Sequence, residues 1–119
     1  MKRDPRAFLN DIVDAGGAIL DAIKRIDLDQ YEESRLIRSS VEREFTIIGE
    51  ALSRLSQCDR AIFSQIRQAS QIISFRNKIT HEYTKINSRL VWGVIQTELP
   101  ELIEQCRDLL HQLNQTDEQ

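Results

Sequence analysis

The 119-residue sequence contains few residues that break or cross-link a chain: four glycines, two prolines and two cysteines. So little glycine and proline argues against a turn-rich β protein and against a disordered chain. Two cysteines, Cys58 and Cys106, cannot build a disulfide framework or a four-ligand zinc site. Neither has a histidine near it in sequence that would suggest a nucleophile, so we expect both to be inert. We therefore expect a reduced protein in the cytoplasm.

Long hydrophobic runs are also absent. No apolar run approaches the roughly 18 residues that a membrane span needs, and residues 1–5 are not followed by the apolar region of a secretory signal. We therefore expect no membrane association. The net charge of −3 argues against a broadly basic, nucleic-acid-coating surface. Glycine-rich phosphate loops are missing as well, so we expect no bound nucleotide cofactor.

The apolar residues recur at steps of three and four, the pattern of helices that bury one face. One stripe covers residues 8–26, a second residues 37–55 and a third residues 91–113. Asp4 and Pro5 suit the N-cap and first position of the first helix. The pair Gly16-Gly17 predicts a close contact between two helices, and the alternative is a functional hinge.

The intervening segments are less regular. Residues 27–34 are polar, and residues 56–60 interrupt the pattern. Residues 62–75 predict one or two short helices that end near Ile79 or Thr80. Asn87 or Ser88 can cap the last helix, and Pro100 should bend or break it. We expect the polar tail, residues 114–119, to be frayed.

Helices with one apolar face must bury those faces against each other. The sequence therefore predicts an all-α fold, an antiparallel four- to five-helix up-and-down bundle. Its length predicts a single helical domain over residues 1–119. Because so short a chain buries only about two-thirds of its unfolded surface, some apolar surface remains that a homodimer would cover.

One segment, residues 76–83, stands apart from this pattern. Residues 76–89 carry four basic side chains and one acidic one, a local charge of +3, so the rest of the chain sums to −6. A compact basic island on an acidic body predicts a site for an anionic group. The basic members are Arg76, Lys78, Lys85 and Arg89.

The side chains of this segment suit RNA cleavage without a metal ion. Arg76 offers a planar fork of donors that matches a phosphate and could stabilise the charge of the transition state. His81 could deprotonate a ribose 2′-hydroxyl or protonate the leaving oxygen. Tyr83 adds a hydroxyl and Asn77 an amide. The alternative is a solvated basic helix end in which the histidine interacts with the helix dipole.

Helix geometry restricts how these groups can meet. Arg76 and Tyr83 are seven residues apart, which places them about 20° apart on an ideal helix, whereas His81 lies about 140° from Arg76. The β-branched residues Ile79 and Thr80 are weak helix formers. We therefore predict that the helix ends near Thr80 and lets His81 turn toward Arg76. The other possibility is that a second subunit completes the site.

The segment resembles the Arg-x4-His-x-Tyr motif of the HEPN superfamily and, within it, the HepT-like toxins. Residues 41–51, VEREFTIIGEA, are similar to the second-helix signature of that family. Val91-Trp92 and residues 99–102, LPEL, are similar to its last helix. The resemblance covers residues 5–112. Where the family often has an aspartate after the isoleucine that follows the motif, this chain has Asn87.

The resemblance implies a HEPN-like bundle that forms a homodimer and acts as a metal-independent endoribonuclease toxin. It implies that Arg76, His81 and Tyr83 are catalytic, with the two motif copies lining a cleft between protomers. The implied partner is an MntA-like nucleotidyltransferase antitoxin of a type VII toxin–antitoxin pair, which transfers AMP from ATP to Tyr83. AMP there would block and repel RNA by its bulk and charge.

Three further residues are candidates for supporting roles. Asn77 and Lys78 lie within the motif segment, and Glu50 could orient Arg76 or His81, unless it forms a surface ion pair. No metal site is expected, because Lys85 occupies the position four residues after His81 where a second histidine would be needed.

Two other functions fit the same bundle. In the first, the chain is a non-catalytic helical subunit that binds substrate for a separate nucleotidyltransferase, and Arg76 and Lys78 merely hold a phosphate. In the second, it is a dimeric adaptor.

Overall fold

A computed structural model describes residues 3–81 and 87–117. These residues form helices and no strand. In chain order the helices are α1 (Pro5–Ile23), α2 (Leu28–Glu33), α3 (Arg35–Cys58), α4 (Arg60–Ser64), α5 (Ala69–His81), α6 (Ser88–Gln96) and α7 (Glu98–Asp117). The prediction of an all-α, HEPN-like bundle is confirmed. The prediction of four to five helices did not include the short helix α2, whereas α4 and α5 correspond to the one or two short helices predicted from residues 62–75.

The core forms where α1 packs against both α3 and α7. The stripes predicted from helical spacing supply its fully buried side chains, among them Ile12, Ile19, Ile48, Leu52 and Leu102. Burying one such side chain contributes about 1.5–3 kcal/mol. The chain's apolar periodicity therefore accounts for the arrangement of its three longest helices.

The paired glycines of α1 differ in their surroundings. A Cβ added at Gly16 would lie 2.7 Å from Cδ1 and Cγ1 of Ile103, whereas one added at Gly17 would meet nothing within 4 Å. The predicted close helix contact is thus confirmed at Gly16, where α1 crosses α7.

Helix α2 lies in the polar stretch for which no helix was predicted. Asp27 and Gln30 form a reciprocal capping box at its start. Tyr31 is fully buried and packs against Trp92 of α6, with ring centroids 5.6 Å apart. A single aromatic residue therefore anchors a helix too short to show an apolar stripe.

The boundaries of the terminal helices follow local signals. Asp4 caps α1 with Pro5 at its first position, and Asn87 caps α6 by accepting from the backbone N–H groups of Arg89 and Leu90. Helix α6 ends at Gln96, three residues before Leu99-Pro100, and α7 then begins, so the predicted break is confirmed. Pro100 lies in the first turn of α7, where its missing N–H is tolerated.

The expectation of a frayed tail is wrong over most of its length. Helix α7 continues to Asp117, and Leu113 packs against the core. None of the described helices combines the length and hydrophobicity needed to cross a membrane.

Candidate functional site

Arg76 lies on the side of α5 that packs against α3, directly over Gly49. A Cβ added at Gly49 would lie 2.6 Å from both Cβ and Cγ of Arg76 and 2.8 Å from its Nε. Cβ contacts below 3.0 Å are essentially never observed in proteins. Because Gly49 has no side chain, the aliphatic part of Arg76 can lie against the backbone of α3.

Ser53 contacts the guanidinium one helical turn further along α3. Nη2 of Arg76 donates a hydrogen bond to Oγ of Ser53 at 3.3 Å, in a partly buried setting. Nε of Arg76 is shielded from solvent. Helix α3 therefore contacts Arg76 both along its stem and at its head.

The residue before Arg76 holds α5 in place. Phe75 is buried, and its ring meets that of Phe45 on α3 edge to face, with centroids 5.0 Å apart. Edge-to-face pairs of this kind are favourable beyond the area they bury. Because Phe75 and Arg76 are neighbours, this contact also restricts where the Arg76 backbone can lie.

Asn77 and Lys78 are both exposed on α5. Lys78 follows Arg76 by two positions, which separates them by about 200° around the helix. It borders a groove of about 420 Å³ between α5 and α6, whose walls include Phe75, Leu90 and Val94. The two basic residues therefore lie on different faces of α5.

Glu50 follows Gly49 but is exposed on the outer surface of α3. Its carboxylate pairs with Arg54 at 3.0 Å. This is the surface ion pair that was the alternative to contact with Arg76 or His81. An exposed pair of this type contributes at most about 1 kcal/mol.

The described part of α5 runs to His81, just past the predicted end near Ile79 or Thr80. The His81 side chain and the whole of Tyr83 lie outside the described residues. The predicted turn of His81 toward Arg76 therefore also lies outside the described residues. Asn87, the departure from the family pattern, retains the structural role of a helix cap.

The basic island is partly compensated. Of its four basic residues the structure describes Arg76, Lys78 and Arg89. Nε of Arg89 lies 3.6 Å from a carboxylate oxygen of Glu32, in an exposed ion pair. Part of the charge of Arg89 is therefore neutralised by Glu32.

Other titratable groups are buried away from α5. Burial raises the pKa of Tyr31, and the Glu42 carboxylate raises it further. Burial also raises the pKa of the Cys106 thiol to about 12, which keeps the thiol neutral near pH 7. Within residues 3–81 and 87–117, no three His, Cys, Asp or Glu side chains are grouped closely enough to hold a metal ion.

The sequence was also compared with known families and proteins. A family model described as "Ribonuclease HepT-like" matches residues 12–109, most of the chain. The chain belongs to the HepT-like ribonuclease family. This confirms the resemblance inferred from the motif and from the signatures of the second and last helices.

Relatives of this HepT-like chain carry ribonuclease names. "Putative RNase MJ1380" of Methanocaldococcus jannaschii is 30% identical over 101 residues, which are 85% of this chain and 92% of that protein. "Putative RNase TTE0752" of Caldanaerobacter subterraneus subsp. tengcongensis is 29% identical over 91% of this chain and 96% of its own. "Probable ribonuclease HepT" of Thermococcus cleftensis is 24% identical over 86% and 92%. No solved structure matches the chain significantly.

The motif led to Arg76 but not to the residues that hold it. Gly49 gave a signal, since a glycine within a helix is unfavourable by about 1 kcal/mol relative to alanine and so suggests close packing. The sequence did not show which element approaches it. Ser53 gave no signal, because one serine on a helix surface is common.

Proposed function

We propose that this HepT-like chain is a metal-independent endoribonuclease toxin of the cytoplasm, active as a homodimer. We propose further that an MntA-like nucleotidyltransferase antitoxin neutralises it by transferring AMP to Tyr83. The observation that carries the proposal is Arg76, an arginine of the family motif whose guanidinium is held against α3 in a chain that belongs to a ribonuclease family.

In the proposed reaction, His81 accepts the proton of a ribose 2′-hydroxyl, and the 2′-oxygen attacks the adjacent phosphorus. The bond from phosphorus to the 5′-oxygen then breaks, that oxygen takes up a proton from water, and His81 returns its own proton to the solvent. The products are a 2′,3′-cyclic phosphate and a 5′-hydroxyl. Arg76 stabilises the additional negative charge on the phosphoryl oxygens in the transition state. In this proposal both ends of the cut RNA form without a bound metal ion.

Burial of Tyr31 supports Tyr83 as the modified residue. The chain has two tyrosines, and the side chain of Tyr31 has no exposed surface. Transfer of AMP to Tyr31 would require α2 to leave the core. A phosphodiester on Tyr83 would add bulk and negative charge close in sequence to Arg76, where the RNA phosphate is proposed to bind.

Exposed apolar side chains support the homodimer. Leu36 is 81% exposed and Ile47 is 36% exposed. They are eleven residues apart on α3, which places them within about 20° of the same helix face. A second protomer would shield this face from water.

Growth arrest tests the toxin function. We expect expression of the wild-type chain alone to stop bacterial growth and expression of His81→Ala at the same level to leave growth normal. Equal arrest by both proteins would contradict the catalytic proposal, because a toxin that acts by binding needs no imidazole.

Mass spectrometry tests the modification. After incubation with the nucleotidyltransferase and ATP, the intact mass should rise by whole AMP units in the wild type and in Tyr31→Phe. It should not rise in Tyr83→Phe. An unchanged response of Tyr83→Phe would assign the modification to another residue. Tight binding to the nucleotidyltransferase without cleavage of any RNA would instead favour the non-catalytic subunit.

A further inference from the structure

We propose that Gly49 and Ser53 of α3 form a cradle that fixes the direction of the Arg76 guanidinium. Both would then be positioning residues of the nuclease site. Their role in catalysis rests on the proposed function. The cradle itself rests only on the contacts between α3 and α5.

The contact at Gly49 involves the rigid end of the arginine. The two atoms 2.6 Å from an added Cβ are Cβ and Cγ of Arg76, which are tied to the α5 backbone. Rotation about χ1 would move Cγ of Arg76 but not Cβ, so an alanine at this position would have to push α5 away from α3 at Arg76. The Phe45–Phe75 pair resists that movement, and we expect the local displacement to carry the guanidinium away from Ser53.

Gly16 provides an instructive comparison within the same chain. An added Cβ there would be almost as crowded, at 2.7 Å, but its neighbours are Cδ1 and Cγ1 of Ile103. Those atoms belong to a buried aliphatic side chain of α7 that is no part of the proposed site. An alanine at Gly16 therefore disturbs packing in the core, whereas an alanine at Gly49 changes the direction of an arginine.

The contact at Ser53 fixes the plane of the guanidinium. The group is rigid and planar, so restraining Nη2 by the Ser53 hydroxyl, with the stem held over Gly49, restrains the orientation of the whole head. Donors stabilise a transition state best when their direction is already set, and a misplacement of about 1 Å can lower the rate about 100-fold.

The first experiment compares four glycine substitutions. Gly49→Ala should lower kcat/KM for RNA cleavage at least about 10-fold, because it displaces a donor of the transition state. Gly17→Ala and Gly93→Ala should stay close to wild type, since an added Cβ meets nothing within 4 Å at either position. Gly16→Ala should lower the melting temperature with little effect on kcat/KM.

A second measurement follows Arg76 itself. In the ¹⁵N-labelled protein, the Nε–H signal of Arg76 should exchange slowly with solvent, because Nε is buried. Its loss in Arg76→Lys assigns the signal. In Gly49→Ala this signal should shift and exchange rapidly, while in Gly17→Ala and Gly16→Ala it should remain as in the wild type.

The Ser53 variants remain informative even if Gly49→Ala does not fold. Ser53→Ala removes the acceptor and should lower kcat by about 2- to 10-fold, the worth of one hydrogen bond. Ser53→Thr keeps the hydroxyl and should restore most of the loss. A merely structural role would lower stability in Ser53→Ala without a fall in kcat for the folded protein.

The two proposals fail in different ways. An Arg76 signal that is unchanged in Gly49→Ala, or a Ser53→Ala enzyme with wild-type kcat, would overturn the cradle. If the wild type cleaves no RNA but the Arg76 signal responds as expected, the cradle is supported and the proposed function is overturned.

Discussion

The rings of Phe45 and Phe75 meet edge to face at an interplanar angle of 87° and join α3 to α5. Because this contact carries much of the attachment of α5, we expect Phe75→Ala to lower the free energy of unfolding by about 3–5 kcal/mol. Chemical denaturation followed by circular dichroism measures the change. The matched control is Phe63→Ala, because Phe63 is only partly buried against the core. It should lower the free energy of unfolding by less than Phe75→Ala does. Equal losses would show that the pair has no special role.

Tyr31 is buried with a hydroxyl that has no hydrogen-bond partner among the described residues. A buried hydroxyl without a partner costs about 1–3 kcal/mol. We therefore expect Tyr31→Phe to leave the unfolding free energy unchanged or to raise it by about 1 kcal/mol. Tyr31→Ala should be strongly destabilising, because it also removes the ring that packs on Trp92. A clear loss of stability in Tyr31→Phe would reveal a partner for the hydroxyl.

Glu42 is partly buried, and desolvation raises the pKa of its carboxyl, although Arg38 opposes the shift. An acid whose pKa is higher in the folded state binds its proton more tightly there than in the unfolded chain. Stability is therefore highest below pH 4.5, the usual pKa of the carboxyl, and falls as the pH rises from 4.5 through the raised pKa of the folded state. We therefore expect Glu42→Gln to stabilise the protein at neutral pH and to have little effect below the usual value. Melting curves across this range measure the difference, and a stabilisation that is independent of pH would contradict the stated cause.

Leu36 and Ile47 share one exposed face of α3 and support the proposed homodimer. We expect the double variant Leu36→Glu, Ile47→Glu to elute as a folded monomer, with a mass half that of the wild type by light scattering. The double variant Gln112→Glu, Gln115→Glu, which adds the same two negative charges to the exposed surface of α7, should leave the mass unchanged. A double variant that remains dimeric would assign the interface to another surface.

Periodicity in the sequence was sufficient to predict the long helices. The stripe of apolar residues in α3 and the cap at Asp4 required only local information, and the structure has both. Helix α2 was missed because its six residues contain one anchor, Tyr31, whose burial depends on Trp92 some sixty positions away. Its capping box, Asp27 with Gln30, was the local signal that could have revealed it.

The site was predictable only in part, for a similar reason. Residue chemistry and the motif singled out Arg76, but its contacts with Gly49 and Ser53 join positions more than twenty residues apart. Spacing along the chain does not encode which helix faces an arginine. The same limit applies to Glu50, which was a candidate for orienting Arg76. Its sequence neighbour Gly49 contacts Arg76, whereas the carboxylate of Glu50 pairs with Arg54.

The most direct test of the central claim is cleavage of RNA by the purified protein in the presence of EDTA. We expect the wild type to produce fragments ending in 2′,3′-cyclic phosphate, and both Arg76→Ala and His81→Ala to lose at least about 100-fold in rate. Arg107→Ala, which alters an exposed basic residue of α7 outside the basic island, should retain most of the activity. Cleavage that persists in Arg76→Ala, or that disappears from the wild type when EDTA is added, would contradict the account.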